Sequence, residues 1–573
     1  MATDSNQMQN FNDKSDAVVD NKTDNDTPSI EILKPRGVVR MEAIVNQMSM
    51  GWRCGLYGGL FLVAYIVTLN FLVTGTYLAY ATSTWQNHSL LSTINVVRGV
   101  IAATVLPVVA KLADILGRFE CFIIVSVFFV VGNIIQAAAV TIQAFAVGAL
   151  FSQIGYTSGQ LIVEIIVSDT TSLRSRVFFL FFPSFPNIIN VWISGNVTSS
   201  VLNATTWRWG YGMWAIIYVV TAIPLVVVFI LQGRRTRDEI ARTKTLGFGQ
   251  TRREALLNLP SRLDLMGLFL LTATLSLLLI PLTLAGGETE KWRTPGIITP
   301  VVLGSLFLPL FLFWETKAKH PILPYAVFKD RSVWAAIGIA FCGAVTYTAQ
   351  SEFLYTVLYV AYDFSIDAAT RISVVSTFML AVGGILGGAV IYKFRRCKPL
   401  IMVGCAIWLI AYSLMYRYRG SASGSDRAGI IAGQVLVGTA AALVTYPNIV
   451  IAMSVSKHEN VALLTSLWLA MNWAGYAVGN CITGAVWTQT LYGQLQKDLG
   501  PINATLVDMV YAEPLYVVPY YPIATPERTA IINSYRYIER LLVIVSMAFV
   551  VPIVFFAFCL RNPRIEGRKS APV

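Results

Sequence analysis

Long apolar runs, free or nearly free of charge, alternate along the chain with short segments that carry its Lys, Arg and Asp. Fourteen of these runs approach or exceed the roughly twenty residues that a helix needs to cross a bilayer. They lie at 55–81, 91–110, 121–140, 144–168, 177–200, 211–232, 264–285, 296–315, 333–360, 370–392, 399–416, 428–454, 460–486 and 541–560. Within them the apolar positions do not alternate with polar ones, which excludes barrel strands. Hydrocarbon leaves helices as the remaining way to satisfy the backbone. The pattern predicts an all-α polytopic membrane protein with fourteen transmembrane helices.

Composition agrees: only 13% of the 573 residues are charged and the mean hydropathy is +0.62. The net charge of +12 changes meaning in this setting. Eight Lys and Arg fall in the loop 233–262, and "TSLRSRV" (171–177) and "YKFRRCK" (392–398) are also basic. An even span count puts these loops on the same side as both termini, and the positive-inside bias makes that side cytoplasmic. The charge therefore argues for a lipid bilayer as partner and against nucleic acid. Candidate glycosylation sequons at Asn87, Asn196, Asn203 and Asn503 fall on the opposite side. Two more, at Asn21 and Asn25, fall in a polar cytoplasmic tail. The seven Cys sit in or beside apolar runs or in a basic loop, which predicts neither a disulfide framework nor a metal cluster.

One short segment is charged out of proportion. "VVAKLADILGRFE" (108–120) sets Lys111, Asp114, Arg118 and Glu120 between two spans. A plain positive-inside turn does not need Asp114. Gly117 allows a tight backbone and Arg118 can pair with a carboxylate, so Asp114, Gly117 and Arg118 are candidate gating residues that lock and release two helix bundles. "AKLADILGRFE" resembles the loop 2–3 motif of the major facilitator superfamily, with Ala110 where the motif usually has Gly. "GGAVIYKFRRCK" (387–398) resembles a degenerate second copy without the Asp. "SDTTSLRSR" (168–176), "NVWISGNVTSS" (190–200), "PLTLAGGETEKWR" (281–293), "SKHEN" (456–460), "GAVWTQTL" (484–491) and "YPIATPERTAIINSYRYIERLL" (521–542) together resemble the fungal siderophore–iron transporter branch, over about residues 50–562.

That resemblance implies a major facilitator fold of two six-helix bundles plus two extra helices. The parts are a disordered cytoplasmic N-tail (1–52), an N-terminal bundle (53–232), a cytoplasmic loop (233–262), two inserted helices (263–320), a C-terminal bundle (321–560) and a C-tail (561–573). It also implies import of intact ferric siderophores driven by protons, by a monomer without cofactor, iron being carried only as a chelate. Drug exporters of the superfamily carry a Gly-Pro-rich signature in span 5 and an Arg in span 4. "FFPSFPNIINVWISGNV" lacks the first, and "FSQIGYTSGQLIVEIIV" has Glu164 instead of the second.

Ionisable residues within spans cost about 3 kcal/mol each on insertion scales and are functional by default. Arg98 lies about two turns below the outer end of span 2, where it either holds an anion or an acid in the central cavity or snorkels outward. Glu352 lies in the outer half of span 9 with Tyr355 and Tyr359 on roughly the same face. It fits substrate contact, proton binding or a fixed pairing with Arg98. Glu164 fits proton coupling or a tie to Arg174 or Arg176. His458 reads as a solvated loop residue beside Lys457 and Glu459. The candidate substrate residues are Arg98, Trp192, Tyr347, Glu352 and Tyr355, and the candidate proton-coupling residues Glu164 and Glu352. The segment 487–540 is read as a long external loop whose Tyr511, Tyr516, Tyr520, Tyr521 and Tyr535 contact ligand or form an interfacial belt.

No Walker loop and no His/Cys cluster with metal-ligand spacing is present, and His88, His320 and His458 are scattered. Neither an enzyme nor a carrier of bare iron is indicated. Arg98 points towards an anionic chelate such as ferric enterobactin. Two alternatives stay open. One is exchange of glutathione for protons. The other is a transceptor that binds siderophore and signals, with Lys14 and Lys22 in the tail as trafficking signals. The expected location is the plasma membrane with cycling through endosomal vesicles.

Overall fold

The computed structural model describes residues 41, 44, 47–170, 182–236, 263–285, 289–318, 321–322, 330–455 and 461–562. Arg174, Arg176, His320, His458, Lys14, Lys22, Asn21 and Asn25 lie outside them, as does most of the loop 233–262.

The described residues are helical, with no strand among them. The N-terminal half comprises α1 (Met50–Thr84), α2 (Leu90–Leu116), α3 (Arg118–Ala138), α4 (Ile142–Thr170), α5 (Asn187–Ala204) and α6 (Trp207–Arg235). An antiparallel pair follows, α7 (Leu265–Leu284) and α8 (Pro295–Lys317). The C-terminal half comprises α9 (Arg331–Ser351), α10 (Leu354–Val360), α11 (Ile366–Phe394), α12 (Lys398–Arg417), α13 (Gly424–Val455), α14 (Val461–Asp498), α15 (Ala504–Ala512) and α16 (Pro526–Cys559).

Among the described residues twelve spans, with α9 and α10 forming one, are long and apolar enough to cross a membrane, two fewer than the sequence pattern suggests. The other two candidates, α5 and α14, do form as helices but are more polar. Asn190, Ser194 and Thr198 of α5 and Asn480 and Thr483 of α14 are fully buried in protein. These two helices make the main contacts between the halves, α5 against α11 and α14 against α2. Their polar faces meet protein, which removes the need for an apolar surface there.

The α2–α14 seam depends on small residues. A Cβ on Gly99 would stand 2.9 Å from Cα of Ala477, so only glycine allows this backbone approach. Gly195 plays the same part in α5, where a Cβ would run into the carbonyl of Asp367. The pair α7–α8 lies across the seam: α7 touches both α2 and α14. Thr93 donates to Thr283 at 3.0 Å and the Cys481 thiol donates to the Leu279 carbonyl at 3.4 Å.

The segment 487–540 departs from the expected loop. Helix α14 runs on to Asp498, α15 is capped by Asn503, whose side chain accepts from the Leu506 N–H, and α16 begins at Thr525–Pro526. Cap residues and Pro at the first helical position build these helices without any apolar run. All seven cysteines are unpaired.

Candidate functional site

The two halves meet in a layer of polar side chains. On α2, Asn95 lies one turn before Arg98, on the same face. The Asn95 amide donates to Glu352 Oε1 at 3.0 Å, and Arg98 Nη1 donates to Asn95 Oδ1 at 3.3 Å. Arg98 Nε also donates to Gln153 Oε1 of α4 at 3.0 Å. Glu352 sits where α9 ends, one residue before Phe353 opens α10. One amide thus joins a guanidinium of the N-terminal half to a carboxylate of the C-terminal half. Arg98 and Glu352 are brought together, though through Asn95.

Below this layer, towards the end of the molecule that carries Thr170 and Phe182, lies a cavity of about 250 Å³. Phe71, Tyr156, Gln160, Glu164, Asn472 and Trp473 are among the residues that line it. Phe71 stacks on Tyr156 at 4.6 Å, and Trp473 meets Tyr156 edge-on at 6.5 Å and Tyr476 at 5.2 Å. Glu164 is therefore a cavity carboxyl. The wall mixes aromatic, amide, hydroxyl and leucine side chains, and Glu164 is the carboxyl among them.

Three other candidates sit elsewhere. Tyr347 reaches Ser376 of α11, with oxygens 3.3 Å apart. Trp192 is half-exposed on α5 and meets Phe378 edge-on at 5.3 Å, so it belongs to the α5–α11 contact rather than to the cavity wall. Tyr355 is buried, its ring 6.3 Å from the rings of both Tyr80 and Tyr359.

At the far end, which carries residues 499–525, further contacts cross between the halves. Thr76 bonds Thr370 at 3.1 Å and Arg371 donates to Asn196. His88, in the turn between α1 and α2, is buried with Nδ1 3.0 Å from Ser83 Oγ and Nε2 3.0 Å from Thr356 of α10. Burial pushes its imidazole down to about 4, so it is neutral here. Asn196 is a poor glycosylation acceptor: it lies inside α5, its amide oxygen is engaged by Arg371 and Thr198 of its sequon is fully buried. Asn87 and Asn203 are exposed, and Asn503 is half-buried in its capping role.

The five candidate tyrosines within 487–540 separate into different environments. Tyr535 is fully buried in α16, edge-on to Trp487 at 5.6 Å, and is a core residue because α16 begins earlier than the apolar pattern suggests. Tyr511 packs edge-on to Tyr492 at 5.4 Å. Tyr516 packs on Tyr80 at 5.9 Å, with its hydroxyl 3.1 Å from Thr84 Oγ1. Tyr521 is half-buried and Tyr520 is 83% exposed.

The charged turn at the other end is a tie within one half. Gly117 has φ 114°, a conformation favouring glycine. Arg118 begins α3, is almost wholly buried, and binds Asp114 at 3.0 Å and Asp169 of α4 at 2.8 Å. Both carboxylates belong to the N-terminal half. The expected lock between bundles is not what these contacts form, because Asp169 lies within direct reach of Arg118 at the end of α4.

Asn95, Gln153, Tyr156, Trp473 and His88 are the residues that sequence reasoning passed over. A signal existed for α4: Gln153, Thr157, Gln160 and Glu164 recur at four, three and four residues, a polar stripe along one helix face.

Two packed helical halves around a central cavity form an arrangement shared with solved membrane transporters. The fold matches a bacterial homologue of the human lysosomal transporter Spinster with a TM-score of 0.54 at 14% identity, over 90% of this chain and 98% of that one. It matches an auto-inhibited POT family peptide transporter with a TM-score of 0.52 at 14% identity, over 94% and 99%. The fold is that of the major facilitator superfamily, the superfamily named for a relative 30% identical to this chain.

The sequence comparisons narrow the class. The family model of the fungal trichothecene efflux pump (TRI12) matches residues 78–471. Siderophore iron transporter ARN1 of Saccharomyces cerevisiae is 38% identical, over 88% of this chain and 81% of that protein. Siderophore iron transporter 1 of the same yeast is 37% identical, over 95% and 87%. MFS siderochrome iron transporter C of Aspergillus fumigatus is 30% identical, over 94% and 88%. This chain belongs to the fungal siderophore iron transporter family.

Proposed function

We propose that this protein imports ferric siderophores together with protons by alternating access. The observation that carries the reading is the Arg98–Asn95–Glu352 bridge between the halves, in a chain whose relatives are named siderophore iron transporters. With Glu352 ionised, the bridge is electrically balanced. With Glu352 protonated, the guanidinium of Arg98 is left with net charge to offer an anion. Proton binding and anion binding then favour one another, which is the coupling that symport requires. Such coupling favours an anionic chelate, of the catecholate kind, over a neutral one. The cavity is smaller than the roughly 300–1,000 Å³ of sites that enclose a drug-sized ligand, so the halves must part for a chelate to enter. Glu164 in the cavity wall is the second proton-coupling candidate. The protein works as a monomer in the plasma membrane, cycling through endosomal vesicles, with both termini in the cytoplasm.

The test is uptake of radiolabelled iron, given as ferric enterobactin, ferrichrome, ferrioxamine or triacetylfusarinine, by fungal cells lacking their own siderophore uptake, at external pH 5 and 7.5. Uptake of one chelate that collapses with the proton gradient supports the reading, and selective loss of an anionic chelate in Arg98→Gln supports the charge argument. Absence of uptake for every chelate, with the protein at the surface, sinks it. The efflux description of the matching family model favours a second reading, export of an anion such as glutathione in exchange for protons. Glutathione appearing outside the same cells, without iron gain, would establish it.

A further inference from the structure

On the bilayer-facing side of the N-terminal half, away from the central cavity, α3 and α6 diverge around an apolar groove of about 640 Å³. Ile134, Ala137, Ala138, Gly212, Ile216 and Val219 are among its lining residues, and no polar residue lines it. Small residues make the hollow: a Cβ on Gly212 would stand 3.4 Å from Cβ of Ala137, so the helices nearly touch there. Large ones make the walls, with Ile134, Ile216 and Val219 each about half-exposed.

One end of the groove is cationic. Arg208, one turn before Gly212, donates from Nη1 to the carbonyls of Ala137 and Ala139, at the end of α3. Its guanidinium lies 4.6 Å from the Trp207 ring centroid. No carboxylate pairs with it and no hydrogen bond uses its Nε or Nη2 among the described residues. Trp209 is half-exposed beside it, as expected of a side chain at headgroup level. The lining runs from Ala138 back to Val130 on α3 and from Gly212 to Val220 on α6. At 1.5 Å per residue each stretch is about 12 Å long, close to the roughly 15 Å depth of one hydrocarbon leaflet.

A cation at headgroup level above an apolar trough one leaflet deep matches an amphiphile with an anionic head and an acyl tail. We infer that the α3–α6 groove is a binding site for a glycerophospholipid, with an acyl chain in the groove and the phosphate on the free donors of Arg208. Arginine suits a phosphate because its remaining donors can form a charge-assisted fork. The plainer role for Arg208 is to cap α3, since cations stabilise helix C-termini. Capping uses Nη1 and leaves the groove unexplained.

The test is native mass spectrometry of the whole protein, stripped of lipid in mild detergent and titrated with dioleoyl phosphatidate or dioleoylglycerol. The two lipids share their tails and differ by the phosphate. Loss of charge-assisted phosphate bonds predicts a preference of about tenfold or more for phosphatidate in the unaltered protein. Arg208→Gln abolishes that preference and Arg208→Lys retains part of it. Ala138→Trp, which fills the trough from an exposed position on the last turn of α3, lowers binding of both lipids. Leu306→Trp on α8, another exposed apolar position, leaves both unchanged. Equal binding of the two lipids, an unchanged preference in Arg208→Gln, or undiminished binding in Ala138→Trp overturns the inference.

Discussion

Replacing Asn95 by Leu tests the bridge between the halves most directly. The substitution keeps the side chain's size and removes two hydrogen bonds, one to Glu352 at 3.0 Å and one from Arg98 at 3.3 Å. Hydrogen bonds to charged groups contribute roughly 1.5–3 kcal/mol each. Arg98 is only half-buried, so its bond belongs at the bottom of that range or below it. Direct approach of Arg98 to Glu352 would offset a further part. The net loss is about 2 kcal/mol, and it falls on the conformation in which the far ends are joined. That is roughly a thirtyfold shift towards the conformation with those ends apart. Nitroxide labels at positions 205 and 365, exposed far-end sites on opposite halves, report it by pulsed electron paramagnetic resonance, with Cys54 and Cys559 replaced by Ser. The distribution should gain a longer-distance population in Asn95→Leu, and uptake should fall. A folded Asn95→Leu protein whose distances match the parent would refute the bridge as a determinant of the conformational balance.

Three more expectations rest on single contacts. Asp169→Asn takes away the nearer carboxylate of the almost wholly buried Arg118. Breaking such a pair costs up to about 3–5 kcal/mol when no other partner remains; Asp114 still pairs here, so a smaller loss should appear as a lowered melting temperature by fluorescence-detected size exclusion. His88 has its imidazole held at about 4 against an ordinary 6.5, so the unfolded chain binds more protons between those values. Stability should decline as pH falls from about 6.5 to 4, by on the order of 3 kcal/mol; a melting profile over pH that keeps the same acid slope in His88→Gln would contradict this. Gly99→Val forces the α2 and α14 backbones apart from a Cβ position only 2.9 Å from Ala477. Overpacking of this kind costs about 1–3 kcal/mol, and uptake should drop much further than surface abundance, measured on the same cells.

How far the site could be read beforehand depended on the cost of each group in hydrocarbon. Arg98, Glu164 and Glu352 stood out because a charge in an apolar run needs a reason. Asn95 did not, since a lone amide costs far less and its partner lies 257 positions away. His88 falls in a short polar turn, and its burial comes from Thr356, 268 positions on, and from the Phe353 and Trp487 rings. Local pattern carries no trace of such pairings. By sequence Tyr535 reads as a loop residue for a related reason. Apolar periodicity marks where a helix is in lipid, while caps such as Asn503 and Thr525 mark where a helix begins.

Their place at the contact between the halves explains why α5 and α14 are the least apolar of the long helices. In a protein whose halves rock against each other, the helices at the inter-half contact trade neighbours in each cycle. A wholly apolar seam would hold one arrangement by close packing and gain nothing from water in the other. A buried amide such as that of Asn480 can bond protein in one arrangement and water in the other, which keeps the two within a few kcal/mol. The fully buried amide of Asn480 makes no well-aligned hydrogen bond among the described residues, with the Tyr476 hydroxyl one turn away as its polar neighbour, as expected of a group whose best partners belong to the opposite arrangement. Asn480→Leu should therefore stabilise the protein with its far ends joined while slowing uptake. A destabilised Asn480→Leu protein with normal uptake would show that the amide serves the conformation described here instead.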